Sequence, residues 1–170
     1  TATAQPDWSL GSAIAKDKII QTFVNEKGFF DAILPHEMGH IIFREFVGFD
    51  NSTIPLWLDE GVACYQEVSR LRTADRLFKE AVTNNRLLTL EELAGFNPKI
   101  ASDPESVNLF YAESLSVVDY LIKEFGSDNF VLFCQGLRDK KDLERALIYA
   151  YPFRDFKDFR RAWEKYLKNE

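Results

Sequence analysis

Histidine is almost missing from this chain of 170 residues: there are two, His36 and His40, and they stand together. Cysteine is as scarce, with Cys64 and Cys134 alone. So few, so far apart, exclude a disulfide framework and a cysteine-type zinc site. Buried separate thiols are expected rather than one bridge, because Cys is a commonly buried residue type. Positive charge is in deficit, 21 Lys and Arg against 27 Asp and Glu, a net −6. That argues against nucleic acid as a partner, since binding phosphates needs a basic surface. No segment holds the roughly 18 uninterrupted apolar residues of a membrane-spanning helix. An initiator Met and a charged-then-apolar leader are also lacking. The expectation is a domain excised or processed from a longer protein, with other domains of that parent as neighbours and a secreted or periplasmic setting. Apolar residues are not lacking, at 46% with fifteen Phe, so a packed globule is expected rather than disorder. Its length suits one domain, 1–170.

Both histidines fall in Leu34-Pro35-His36-Glu37-Met38-Gly39-His40, which reads H-E-x-x-H. On a helix, imidazoles at i and i+4 lie one turn apart on one face and can reach a single metal ion. Glu37 then stands beside them to work on a metal-bound water. A second stretch, Pro55-Leu56-Trp57-Leu58-Asp59-Glu60-Gly61-Val62-Ala63, puts Glu60 twenty positions after His40. That is room for one helix to end and a second to return alongside. Two histidines and a carboxylate from two packed helices, with a fourth position left for water, form the arrangement of a catalytic zinc site.

Along the chain, residues 1–9 show no periodicity and read as a loose arm. Gly11–Ala15 and Lys18–Val24 are rich in β-formers and predict two short strands. Phe29–Val47 reads as one helix with apolar residues most of the way round, as at the centre of a domain. Pro35 must sit in its first turn or kink it, and Gly39 would admit a close neighbour. A second helix is predicted from Pro55 to about Leu71, with Glu60, Cys64 and Glu67 on one face. A helical stretch over 71–85, a capping box at Thr89-Leu90-Glu91-Glu92 and an irregular segment from Phe96 to Ser106 follow. Tyr111 then opens a helix with the stripe Tyr111, Leu115, Val118, Ile122, Phe125, ended by Gly126. Helices over 128–137, 143–150 and 155–168 complete a mainly helical α+β fold: 1–27 arm and strands, 28–170 helices. Asn51-Ser52-Thr53 fits a glycosylation sequon and reads as a chance match in a polar loop.

The segment W-L-D-E-G-V-A resembles W-L-N-E-G-F-A of the gluzincin metallopeptidases, the clan of thermolysin and aminopeptidase N. The helix Y-A-E-S-L-S-V-V-D-Y-L resembles the corresponding helix of their peptidase-MA-like branch. The resemblance is strong over 36–63, fair over 106–167 and thin before residue 28. It implies a zinc peptidase in which His36, His40 and Glu60 bind one Zn2+ per chain. Glu37 would deprotonate the water and pass the proton to the leaving amine. It implies too that a strand before the zinc helix offers its edge to an extended peptide or protein substrate. Aminopeptidases of this clan carry a glutamate there, in G-A-M-E-N, to grip the free amine. This chain has Ile14 in that slot, which points to an endopeptidase. Thermolysin-like enzymes place an aspartate four residues after the ligand glutamate to orient a zinc histidine. Here the position is Cys64, which leaves that contact to Asp59 or to none. Glu67 reads equally as a solvated residue or as such a support. Tyr111 is either core or, by the resemblance, the hydroxyl that meets the tetrahedral oxyanion. Glu113 is a weaker candidate than Tyr111.

Two rival readings predict different behaviour. A peptidase-like scaffold or binding module without activity would keep the metal and cleave no peptide. A helical interaction domain with an accidental H-E-x-x-H would bind no stoichiometric metal and would not be destabilised by a chelator.

Overall fold

The computed structural model describes residues 11–22, 28–67, 79–84, 86–101, 103–139 and 142–167. The expected arm, the end of the second strand and most of the helical stretch over 71–85 lie outside them. Strands β1 (Gly11–Ile14) and β2 (Ile19–Thr22) form an antiparallel pair, Gly11 opposite Thr22 and Ile14 opposite Ile19. β1 ends one residue before the expected Ala15, and β2 begins one residue after the expected Lys18. Lys18, at φ 55°, turns the chain between them.

The expected helix over Phe29–Val47 is not uniform. Phe29–Ile33 is wound as a π-helix that opens at Gly28, whose carbonyl accepts from Ala32 at 2.8 Å and Ile33 at 3.2 Å. The α-helix α1 runs from Leu34 to Val47 with Pro35 in its first turn. A proline ring clashes with the carbonyl four residues back and offers no N–H; the wider π turn before it accommodates both facts. Gly48, at φ 101°, ends α1.

Helix α2 (Leu56–Tyr65) starts after extended Pro55 and lies against α1. It stops at Tyr65, short of the expected Leu71. Two glycines permit its close packing. A Cβ on Gly39 would lie 3.0 Å from Ala63 Cα, and one on Gly61 would lie 2.4 Å from the Ser114 carbonyl oxygen. The short α3 (Leu90–Gly95) carries the expected capping box. Glu92 N–H donates to Thr89 Oγ1 at 3.1 Å and Thr89 N–H to Glu92 Oε2 at 2.7 Å.

Helix α4 (Pro104–Arg138) begins seven residues before Tyr111, so Tyr111 lies inside it rather than at its start. The signal is Asp103-Pro104: the aspartate caps the N–H groups of Glu105 and Ser106, and proline at the first helical position needs no donor. Gly126, at φ 83°, breaks α4 where the sequence places the end of one helix and the start of the next. Helices α5 (Leu143–Ala150) and α6 (Phe156–Leu167) fall where expected.

Trp57, Leu58, Phe110, Phe133, Phe159 and Trp163 are among the buried side chains of one large core, gathered from α2, α4 and α6. The fold is thus mainly helical with a small strand pair. No described helix is long and apolar enough to cross a membrane. Cys64 and Cys134 are both buried and form no disulfide.

Candidate metal centre

The seam between α1 and α2 gathers the polar side chains. His36 and His40 are one turn apart on α1, and their Nε2 atoms face each other at 3.1 Å. Glu60 Oε2 from α2 stands 3.6 Å from one and 3.5 Å from the other. A tetrahedral zinc with ligand bonds of about 2.1 Å needs its donors about 3.4 Å apart. The triangle fits that requirement, and His36, His40 and Glu60 are among the described groups able to hold a metal ion.

The far side of each ring is held by a carboxylate. His36 Nδ1 lies 2.8 Å from Glu67 Oε1, and His40 Nδ1 lies 3.0 Å from Asp59 Oδ1. A carboxylate at Nδ1 fixes the proton there and leaves the lone pair on Nε2, which is the form a metal needs. Both lone pairs then point into the triangle beside a third carboxylate. Two neutral imidazoles so arranged cannot hydrogen-bond to each other, and a cation between them removes the conflict. Arg44 completes the support: its Nε and Nη2 both reach Asp59 Oδ2 at 2.7 Å.

The electrostatics agree. Burial alone would lower the His36 pKa, but Cys64, Glu60 and Glu67 outweigh it and raise it to about 12. At His40 burial is outweighed by Asp59 and Glu60, which raise it to about 9. Burial would raise Glu60, yet the two imidazoles bring it down to about 2. The pocket is therefore built to hold positive charge, and metal ions compete with protons for such sites. Glu37 is buried, and burial raises its pKa; His36 and His40 oppose the shift, Glu60 adds to it, and the Ala13 N–H of β1 donates to it.

Of the residues singled out by sequence, His36, His40 and Glu60 converge, with Glu37 beside them on α1. Tyr111 is half-buried on α4, edge-on to Phe110 at 5.4 Å, and packs against Cys64, Ala112 and Leu115. Glu113 is directed elsewhere: fully buried, it accepts the Leu88 N–H at 2.9 Å. Glu67 is buried rather than solvated, which corrects that half of its sequence reading. Cys64 Sγ lies 3.9 Å from His36 Nδ1, and Glu67, three residues on, supplies the carboxylate contact at 2.8 Å. Arg44 is not singled out by the sequence; its i+4 spacing from His40 is the signal that would have found it.

No curated protein and no solved structure matches the chain. A family model does, over nearly its whole length: it covers residues 3–169, and the chain belongs to the peptidase MA superfamily.

Proposed function

We propose that the chain is a zinc-dependent endopeptidase with His36, His40 and Glu60 as metal ligands and Glu37 as general base. Its superfamily is usually zinc-dependent. The observation that carries the reading is the donor triangle of 3.1, 3.5 and 3.6 Å with a carboxylate behind each imidazole. When bound, zinc supplies Lewis acidity and lowers the pKa of water to about 7.

The chain's own residues do the rest. Glu67 and Asp59 orient the imidazoles, and Arg44 holds Asp59 in place. Glu37 takes a proton from water and delivers it to the departing amine; a carboxyl pushed above its ordinary pKa is suited to both transfers. The Ala13 N–H lies close enough to that carboxylate to lower its pKa, which sets β1 beside the base. An extended peptide adding to β1 by backbone hydrogen bonds would lie across the triangle. The reading as an endopeptidase rests on β1 itself. Gly11, Ser12, Ala13 and Ile14 include no carboxylate to hold a free α-ammonium. Tyr111 is assigned as oxyanion donor on its packing beside Cys64 and on the need for a hydroxyl or N–H at that place.

The test is metal content by mass spectrometry with cleavage of a peptide library. One zinc per chain, lost or greatly weakened in Glu60→Ala, and chelator-sensitive cleavage are expected. Glu37→Gln should keep the zinc and lose about 10²–10⁴-fold in kcat. Equal cleavage by Glu37→Gln would remove it as the base. Zinc with no cleavage by the parent would leave a peptidase-like binding module, and no zinc at all would end the proposal.

A further inference from the structure

His36 presents its two ring nitrogens to two different donor sets. Nε2 faces His40 and Glu60. Nδ1 faces Glu67 Oε1 at 2.8 Å and Cys64 Sγ at 3.9 Å. One donor atom each from His36, Cys64 and Glu67 lies within 4.8 Å of the other two. Cys64 is fully buried and Glu67 is buried, so both face the helix seam rather than solvent. The local chain explains the grouping. Cys64 follows Glu60 by one helical turn, and the turn after Tyr65, with Glu67 N–H on Cys64 O at 3.0 Å, brings the Glu67 side chain back beside the thiol. Orienting an imidazole requires only the carboxylate. The thiol adds a third, softer donor, and thiolate with imidazole and carboxylate suits thiophilic divalent ions. A tetrahedral zinc bonded to sulfur at about 2.3 Å and to nitrogen at about 2.1 Å needs those atoms about 3.6 Å apart. Cys64 Sγ must therefore approach His36 by only a few tenths of an ångström.

We propose that Cys64, Glu67 and the Nδ1 of His36 form a second metal site, back to back with the first, for a thiophilic divalent ion such as zinc in excess or cadmium. Binding releases the Cys64 thiol proton and the His36 Nδ1 proton to solvent. The bonds formed are to thiolate, to carboxylate and to the second nitrogen of a His36 ring that then bridges two ions. Because His36 Nδ1 must first give up its hydrogen bond to Glu67, this site fills after the first. Its occupation breaks the His36–Glu67 hydrogen bond that orients the first site, so excess metal acts back on the triad.

The experiment is an anaerobic titration of the metal-free protein with Co2+, a spectroscopic stand-in for zinc. The first equivalent should give visible d–d bands without a sulfur band. The second should add thiolate-to-cobalt charge transfer in the near ultraviolet and release protons into weakly buffered solution. Cys64→Ser should keep the first spectrum and lose the sulfur band, with Cys64→Ala as the alternative if the serine variant does not fold. Cys134→Ser should keep both. No sulfur band at several equivalents overturns the proposal. So does a band that survives in Cys64→Ser, or one complete at the first equivalent with a single ion bound. The two readings fail separately: the visible bands of the first equivalent report the His36–His40–Glu60 triad, the sulfur band reports Cys64.

Discussion

Besides Glu37, the buried carboxylates among the described residues are Asp59, Glu67 and Glu113, and they differ in what faces them. Asp59 and Glu67 meet imidazoles, and removing the charge while keeping the shape tests that role. Glu67→Gln is expected to weaken zinc binding about 10–100-fold, measured by competition with a chromophoric chelator. An unchanged affinity would reduce Glu67 to a packing residue. Glu113 meets no such partner: burial, opposed by the Leu88 N–H, raises its pKa from 4.5 to about 8. Its Oε2 has no hydrogen-bond partner among the described residues. The sign follows from linkage. A carboxyl with a higher pKa folded than unfolded binds protons preferentially in the native state. The contribution of Glu113 to stability is then greatest below pH 4.5, falls by about 1.4 kcal/mol per pH unit as pH rises, and levels near pH 8. Glu113→Gln should match the parent near pH 5 and exceed it at pH 8 by up to about 4 kcal/mol in urea unfolding. Parallel pH curves would show that Glu113 titrates normally. The sequence reveals H-E-x-x-H because i, i+4 adjacency is local. It leaves Glu67 ambiguous because its burial depends on how α2 docks on α1.

At the scale of elements, the centre exists only if α1, α2 and α4 approach closely, and Gly61 sits at the tightest point. Its Cα faces the Ser114 carbonyl of α4, a backbone atom that no rotamer change can move. Gly61→Ala should therefore cost about 1–3 kcal/mol or more by overpacking. Since Glu60 is the adjacent residue, zinc affinity should fall with it. Gly95→Ala, whose Cβ would meet nothing within 4 Å among the described residues, is the control and should leave zinc binding intact. If Gly61→Ala melts and binds zinc like the parent, α2 has more freedom than the packing implies. Helix positions were largely legible because apolar period, capping box and glycine stops are written locally. The π-wound entry to α1 was not: the sequence shows only that Pro35 needs relief, and both a first-turn position and a kink satisfy that. The start of α4 is written in Asp103-Pro104, inside the stretch expected to be irregular, whereas the apolar stripe begins only at Tyr111. Apolar periodicity marks the buried face of a helix, not its first residue.

For the whole molecule, the question is how far stability depends on the metal. The large core of α2, α4 and α6 packs without the site, so metal removal should not unfold the chain. It should lower its melting temperature. A ligand present at 1,000 times its Kd stabilises by about 4 kcal/mol, and about 2–4 °C per kcal/mol is usual for a chain of this size. A chelator is then expected to lower Tm by about 8–16 °C while far-ultraviolet circular dichroism at room temperature stays helical. The size of that drop should depend on pH. Without metal, protons hold the imidazoles against the surrounding carboxylates. His40 rises from 6.5 to about 9, so its contribution is complete below pH 6.5 and is lost as pH rises towards 9. With zinc bound the ion replaces those protons, and this loss does not occur. The increment in Tm produced by zinc should therefore be larger at pH 8.5 than at pH 6.5, measured by calorimetry with and without chelator. His36→Ala with His40→Ala should abolish both the increment and its pH dependence. An increment that shrinks over this range would mean that protons and zinc do not compete for the pocket between α1 and α2.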